Sequence, residues 1–474
     1  MKVLLLNPPT SDNKMFIREG RCTQEQGVWA TLWPPISLAT IGAVLEKDGH
    51  EVKIVDCAAQ GVSWSELGQL IENFLPHVVI WSTGTPSIEN DLELASFIKK
   101  CDKKILTAVF GTHVTALDRE CMESFPEIDC IIRNEPEMTS KELLKVLQEK
   151  FDFKEILGLT FRNNAGDIIA NPPRPFIEDL DSLPLPAWHL IKLDYYRLPL
   201  KGKRYLMISP LRGCPFKCSF CTCQTYYGKK LRKRSIEGVL KEIEYNIEQF
   251  GIRDFFFWAE TFVVDKEYVK NLCSTIIERG IDISWTSNSR VDTVDGPLLK
   301  LMAEAGCWMI SYGIESGSQK VLDEANKGTR IEQAYEAVRY AKEAGIKTVG
   351  HFILGLPGET EVSIKHTINY ANQLGLDIAQ FYCAVPFPGS ILYERALKEG
   401  WIKNSDYGCF KQDNALMELS TISPQVVNRY RKIAYRKFYF NLKRGYSTLR
   451  LVNWKDLGKV FSAAKDFLGW SSRG

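Results

Sequence analysis

The sequence predicts an α/β protein in three parts: a Rossmann-like (flavodoxin-like) domain over 1–150, a partial (β/α)6 TIM-like barrel over 201–400, and a helical C-terminal region over 401–474. Three observations predict it. Short, β-branched, almost continuously apolar runs alternate with helical stretches in two separate series, the pattern of parallel sheets covered on both faces. A proline-rich segment divides the two series. The length of 474 residues exceeds what one ordinary core holds, so more than one domain is expected.

In the first series, strands are expected at 3–7, 52–56, 78–82, 105–111 and 130–133, with helices near 36–48, 64–74, 88–100 and 140–150. The ligand of such a sheet lies at the C-terminal strand ends, where strand order switches. Asn171-Pro172-Pro173-Arg174-Pro175 and Leu183-Pro184-Leu185-Pro186 can continue neither a helix nor a central strand, so 151–200 reads as a linker. The second series places strands at 206–210, 254–258, 283–287, 309–313, 348–354 and 378–385. Helices are expected between them at 235–250, 266–279, 296–305, 331–344 and 361–374. Such βα units form a full or partial barrel, with its chemistry at the C-terminal ends of the strands.

The 45% hydrophobic and 25% charged composition is that of a soluble globular protein. A net charge of +2 argues neither for nor against polyanionic partners. No apolar run approaches the ~20 residues needed to span a bilayer. The run from Lys2 to Asn7 stops at Pro8-Pro9 without a small-residue cleavage site, which reads as a strand and not a signal peptide. A cytoplasmic location is therefore expected. Between 424 and 474, twelve Lys/Arg stand against two Asp, with aromatic residues interleaved. One reading is a helical cap docked on the barrel; the other is peripheral contact with the inner face of a membrane holding an apolar substrate. No nucleic-acid module surrounds the patch, so no nucleic acid is expected.

Thirteen cysteines are many for such a chain. Nine lie apart, several inside apolar segments, where buried free thiols are the expectation. The other four fall between 214 and 223, just after the first barrel strand, in Arg212-Gly213-Cys214-Pro215-Phe216-Lys217-Cys218-Ser219-Phe220-Cys221-Thr222-Cys223. Thiolates suit iron–sulfur clusters, which normally take four. Cys214, Cys218 and Cys221 on one loop leave one iron open, and the amino and carboxylate groups of a methionine can chelate it. Structural zinc is the competing reading, but it usually takes two close pairs.

The triplet matches the radical S-adenosylmethionine (SAM) signature CxxxCx(aromatic)C, and the resemblance extends along the barrel. It implies Cys214, Cys218 and Cys221 as ligands of a 4Fe-4S cluster, Cys223 as a non-ligand, and Phe220 near the adenine of SAM. In Trp258-Ala259-Glu260-Thr261-Phe262 it puts Glu260 near the methionine amino group, although this subfamily often shows two aspartates there. In Gly313-Ile314-Glu315-Ser316-Gly317 it puts Glu315 on the cofactor's ribose or amino group. Gly355-Leu356-Pro357-Gly358-Glu359 resembles the turn whose glycines let backbone approach the adenosyl moiety, and Pro386-Phe387-Pro388-Gly389 closes the series.

Asn7-Pro8-Pro9, Trp33-Pro34-Pro35-Ile36-Ser37-Leu38-Ala39, Phe110-Gly111-Thr112-His113 and Asn134-Glu135-Pro136-Glu137 resemble the landmarks of a cobalamin-binding domain. Gly111 and Thr112 stand where that family carries two glycines beside the cobalamin tail. His113 is read as a contact to cofactor phosphate or amide groups, or as a structural histidine. Asp56-Cys57-Ala58-Ala59-Gln60-Gly61 keeps the Asp and Gly of the cobalt-ligating loop DxHxxG but puts Ala58 at the His position. Together these segments are similar to the group that includes the anaerobic magnesium-protoporphyrin monomethyl ester cyclase, radical C-methyltransferases and enzymes acting on hopanoids.

The resemblance implies reductive cleavage of SAM to methionine and a 5′-deoxyadenosyl radical, which takes hydrogen from an unactivated carbon. Three activities stay open: cobalamin-dependent C-methylation; radical cyclisation, ring contraction or dehydration; and a non-catalytic cobalamin or iron–sulfur sensor. The implied partners are a small-molecule substrate and an electron donor such as flavodoxin or ferredoxin; the basic, aromatic C-terminus favours a lipid, isoprenoid or tetrapyrrole over a peptide as that substrate. Trp285, Asn288, Arg290, Tyr312, His351, Tyr382 and Cys383 are candidates either to line the pocket or to fill the barrel.

Overall fold

A computed structural model of the chain describes residues 1–10, 15–19, 24–25, 32–198 and 201–440. The chain is α/β, with two main sheets. In the first, β1 (Lys2–Asn7), β2 (Glu51–Asp56), β3 (Val78–Ser82), β4 (Leu106–Phe110) and β5 (Cys130–Ile132) run parallel. Their order, β2-β1-β3-β4-β5, is the flavodoxin-like one. All five residues of β3 are buried, as a strand covered on both faces must be.

Two further strands, β6 (Leu159–Arg162) and β7 (Ile168–Ala170), extend this sheet antiparallel beyond β5. Sequence reading gave them to the linker because they are short and their polar turn at 163–167 looks like more of the same loop. The rest of the linker is not loose chain. Trp188 is fully buried, and the Ala187 N–H donates to Ala39 O at 2.9 Å.

The second sheet is wholly parallel and runs in chain order: β8 (Leu206–Ile208), β9 (Asp254–Phe257), β10 (Ser284–Ser289), β11 (Cys307–Glu315), β12 (Lys347–Leu354) and β13 (Ile378–Cys383). Helices connect the successive strands, as parallel pairing requires. The sheet is a partial barrel, so β13 is an edge. The helix Pro424–Tyr439 covers it. The Phe381 N–H donates to the Tyr435 hydroxyl at 3.2 Å, the Tyr439 hydroxyl donates to Ala379 O at 2.9 Å, and Arg431 Nε donates to Phe381 O at 2.8 Å. Side chains thus replace the missing neighbouring strand. This is the cap reading for 424–439; residues 441–474 lie outside the described residues.

Candidate active site

The strand period of two sorts the barrel residues by face. Phe256 and Trp258, Thr286 and Asn288, Met309 and Ser311, His351 and Ile353, and Gln380 and Tyr382 line one cavity of about 340 Å³. Asn288, Arg290, His351, Tyr382 and Cys383 therefore reach the cavity. Trp285 and Tyr312 do not. Trp285 stacks on Phe257 at 4.7 Å and donates to Ala305 O at 2.7 Å, and the Tyr312 hydroxyl reaches Ala337 O at 3.5 Å. Both have the parity that faces the helical layer.

Cys214, Cys218 and Cys221 all line this cavity. Their loop is held at several points. The Cys214 N–H donates to Gly228 O at 3.2 Å, that of Ser219 to Ala325 O at 2.9 Å, and that of Cys221 to Cys218 O at 3.2 Å. Gly213 has φ +87°, and a Cβ there would collide with Lys230 O, so only glycine fits. Arg290 Nη1 stands 3.8 Å from Cys218 Sγ, and its guanidinium lies 3.7 Å over the Phe216 ring. Asp292 holds that guanidinium at 2.9 and 2.8 Å. Cys223 is buried beside Cys214, and the Cys214 hydrogen bond together with burial pushes its thiol well up.

Glu315 and Glu260 are both buried and both line the cavity, as does Phe220. Glu315 has φ +66°, an uncommon conformation for a side-chain-bearing residue and one that clusters at functional sites. Its carboxylate accepts from Lys327 Nζ at 2.6 Å, and that ammonium stands 5.9 Å from the Phe220 ring centre. Gly355 and Gly358 are not among the lining residues. A Cβ at Gly355 would lie 3.2 Å from the Val427 side chain and one at Gly358 3.1 Å from Glu324 Cγ, so in this fold they let the chain pack on itself.

The N-terminal domain reaches the same cavity through Ile17, Glu19 and Trp33. Arg18, beside them, makes a fully buried two-point bond to Asp91, at 2.9 and 2.6 Å. Glu19 accepts from the Ser37 N–H at 3.1 Å and from its hydroxyl at 2.8 Å. Burial pushes the Glu19 carboxyl up to about 7. The other N-terminal candidates sit at strand ends, outside the cavity lining. Asp56 accepts from the Ala59 N–H at 3.1 Å and the Tyr196 hydroxyl at 2.8 Å. His113 is buried against Thr85 Oγ1 at 3.3 Å and the Tyr407 ring at 4.6 Å, and burial lowers it to about 3, so it stays neutral. Gly111, before Thr112, has φ +147°, and a Cβ there would lie 2.5 Å from Thr83 Oγ1.

Sequence reasoning missed Glu19, Phe216, Asp292 and Lys327. Asp292 lies two residues from Arg290 but in no motif, and Lys327 reaches Glu315 only where the chain after β11 folds back.

The three thiols after the first barrel strand thus face a cavity that residues of the flavodoxin-like domain also line. The radical SAM superfamily description matches residues 208–371, and the B12-binding domain description matches residues 27–144. An uncharacterized methyltransferase of Pyrococcus horikoshii is 32% identical over 443 residues, covering 94% of this chain and 93% of the relative. Cytidylyl-2-hydroxyethylphosphonate methyltransferase of Streptomyces wedmorensis is 28% identical, covering 85% and 82%. The anaerobic magnesium-protoporphyrin IX monomethyl ester cyclase of Rubrivivax gelatinosus is 30% identical, covering 76% and 66%. Among solved structures, the cobalamin-dependent radical SAM enzyme OxsB, with aqua-cobalamin bound, superposes with a TM-score of 0.75 at 18% identity, covering 99% and 71%. The radical SAM methyltransferase TsrM of Kitasatospora setae gives 0.68 at 18%, covering 96% and 90%. The chain belongs to the cobalamin-dependent radical SAM methyltransferase family.

The cofactors of that family are a 4Fe-4S cluster, SAM and cobalamin. The residues present fit them. Three thiols on one anchored loop open into a cavity that also holds Glu260, Glu315 and Phe220, and the B12-type domain contributes to its wall.

Proposed function

We propose that this chain methylates an unactivated carbon of a small, largely apolar molecule. The observation that carries the reading is the shared cavity: thiols of the barrel and residues Ile17, Glu19 and Trp33 of the N-terminal domain line the same space. Cys214, Cys218 and Cys221 would hold the cluster, with Phe220, Glu260 and Glu315 around SAM. The bound cofactors supply an adenosyl radical and a transferable methyl group. The chain's own residues position the substrate and exclude water, which a primary alkyl radical requires.

The cavity wall indicates the substrate. Trp33, Trp258 and Phe256 meet edge to face, with ring centres 4.9 to 5.6 Å apart, and make one side apolar. His351, Gln380 and Tyr382 make another side polar without a fixed charge, with the His351 ring 5.8 Å from that of Tyr382. The cationic lysine and arginine of the described lining are Lys327 and Arg290, and each already has a carboxylate partner. This favours a neutral isoprenoid, lipid or tetrapyrrole-like body carrying a hydrogen-bonding group over a phosphorylated one. A flavodoxin or ferredoxin would supply the electron. No helix among the described residues is long and apolar enough to cross a membrane. Any peripheral membrane contact would fall to the basic residues of 441–474.

The test is anaerobic reconstitution with iron, sulfide and hydroxocobalamin, followed by metal analysis. About four irons and one cobalt per chain are expected, with iron lost in Cys214→Ala and kept in Cys223→Ser. Given reductant and SAM, the methylating enzyme should form S-adenosylhomocysteine together with 5′-deoxyadenosine. Iron without cobalt, or 5′-deoxyadenosine alone, would move the assignment to rearrangement or cyclisation. Iron binding unaffected by Cys214→Ala would overturn it.

A further inference from the structure

Asn134-Glu135-Pro136-Glu137 follows β5, the last parallel strand of the N-terminal sheet, and its side chains meet the loop that carries the cysteines. That loop is closed at its base by a two-residue antiparallel ribbon, in which Leu211 pairs with Lys233 and Arg212 with Arg232. All four clustered cysteines lie between the ribbon's two strands. Arg212 and Arg232 are therefore directly opposite each other, an arrangement that is destabilising for like charges. Both are largely buried, with side chains 12% and 1% exposed, so water cannot screen them.

Two glutamates of the other domain answer that charge. Glu135, itself buried, accepts from Arg232 Nη1 at 2.8 Å through each oxygen and from Arg212 Nη1 at 3.2 Å. Glu137 accepts from Arg212 Nη2 at 2.6 Å. Further bonds surround the four, although Arg232 Nε and Glu137 Oε2 have no hydrogen-bond partner: the Ile177 N–H donates to Glu135 at 2.9 Å, and Arg232 donates to Tyr227 O at 2.7 Å and Ile177 O at 2.8 Å. Asn134 Nδ2 donates to Thr225 O inside the cysteine loop at 2.6 Å. With two buried cations and two buried anions, the quartet is neutral as a whole, and most of its bonds are charge-assisted.

We propose that Glu135, Glu137, Arg212 and Arg232 are positioning residues that hold the cluster loop shut and in register with the B12-binding domain. None of the four lines the cavity. They act through the loop ends on the place and electrostatic surroundings of the cysteines. The cluster part of this rests on the function proposed above; the loop-closing part stands without it.

The test separates the two. In cluster-free protein, Glu135→Gln leaves the two opposed arginines with one counter-charge fewer, and amide hydrogen exchange across 213–231 should quicken about tenfold while exchange in β1 and β3 stays as in wild type. In cluster-loaded protein, loss of that negative charge favours the reduced cluster, so its midpoint potential, titrated by EPR, should shift upward. The charge-balanced double variant Glu135→Gln/Arg232→Gln should bring the potential back toward wild type. Glu137→Gln, which removes one bond, is the milder variant should Glu135→Gln not fold. Exchange in 213–231 equal to wild type in both single variants would overturn the proposal. Faster exchange with an unshifted potential would limit it to loop closure and overturn the electrostatic part.

Discussion

At the residue scale, Glu19 shows what a pattern reading cannot reach. Its neighbours in sequence form no motif, yet the fold buries it at 4% exposure on the wall of the active-site cavity. Burial is the main cause of its raised carboxyl, from an ordinary 4.5 to about 7, with the Ser37 bonds opposing. A carboxyl raised in the folded state binds its proton more tightly there than in the unfolded chain. Its contribution is thus fully present below 4.5 and is lost as pH climbs past 7, a difference of about 3 kcal/mol. Glu19→Gln keeps the shape and removes the titration. Denaturant midpoints of wild type and variant should agree near pH 4 and diverge by pH 8, with the variant the more stable. Parallel curves across that range would show that Glu19 does not titrate there. The cysteine triplet, by contrast, was legible because its three thiols share one short loop. Glu260 and Glu315 were legible as candidates because the resemblance puts them at the ends of the second and fourth barrel strands. Asp292 was not, since it stands in no motif although only two residues from Arg290, and Lys327 was not, since it meets Glu315 only where the chain folds back.

At the element scale, alternation of apolar runs located the strands well, because burial on both faces leaves a plain signal. It gave no parity. Trp285 and Tyr312 look like pocket residues until the register shows them facing the helices, while Trp308 and Met309 both reach the cavity beside the register shift between β10 and β11. Loop conformation was equally hidden. Gly213 and Gly251 read alike in sequence, and both have positive φ, at +87° and +63°. They differ in surroundings: Gly251 has open space, and Gly213 is pressed against Lys230 O. Gly251→Ala should cost only the left-handed backbone, about 1–2 kcal/mol. Gly213→Ala should cost clearly more, and it should also displace Cys214 and reduce the iron taken up on reconstitution. Equal midpoints and equal iron in the two variants would mean that the loop relaxes freely around residue 213.

At the scale of the whole molecule, the proline-rich segment that divides the two series in sequence joins them in space. One contiguous apolar core runs from Val3 and Leu5 through Trp188, Ile191, Tyr196 and Tyr205 to the barrel strands and on to Phe438. The other face of the N-terminal sheet, around Leu4, Trp81 and Val109, has a core of its own, and two small clusters stand apart around Tyr226 and Tyr227 and around Phe387 and Phe410. The Arg212–Glu137 and Arg232–Glu135 bonds and the Tyr196–Asp56 bond cross the same boundary. Domains joined by a linker usually move and unfold separately. Here the reaction needs the opposite, because groups from both domains must meet in one cavity at fixed distances. A shared core supplies that rigidity. The chain should therefore lose helix, followed by far-UV circular dichroism, and tryptophan environment, followed by fluorescence, in a single coincident thermal transition. That coincidence should persist in Glu137→Gln at a lower midpoint, since a weakened clamp still leaves the core continuous. Two resolved transitions in wild type would show that the linker behaves as a hinge, and that the cavity between the domains opens as the enzyme works.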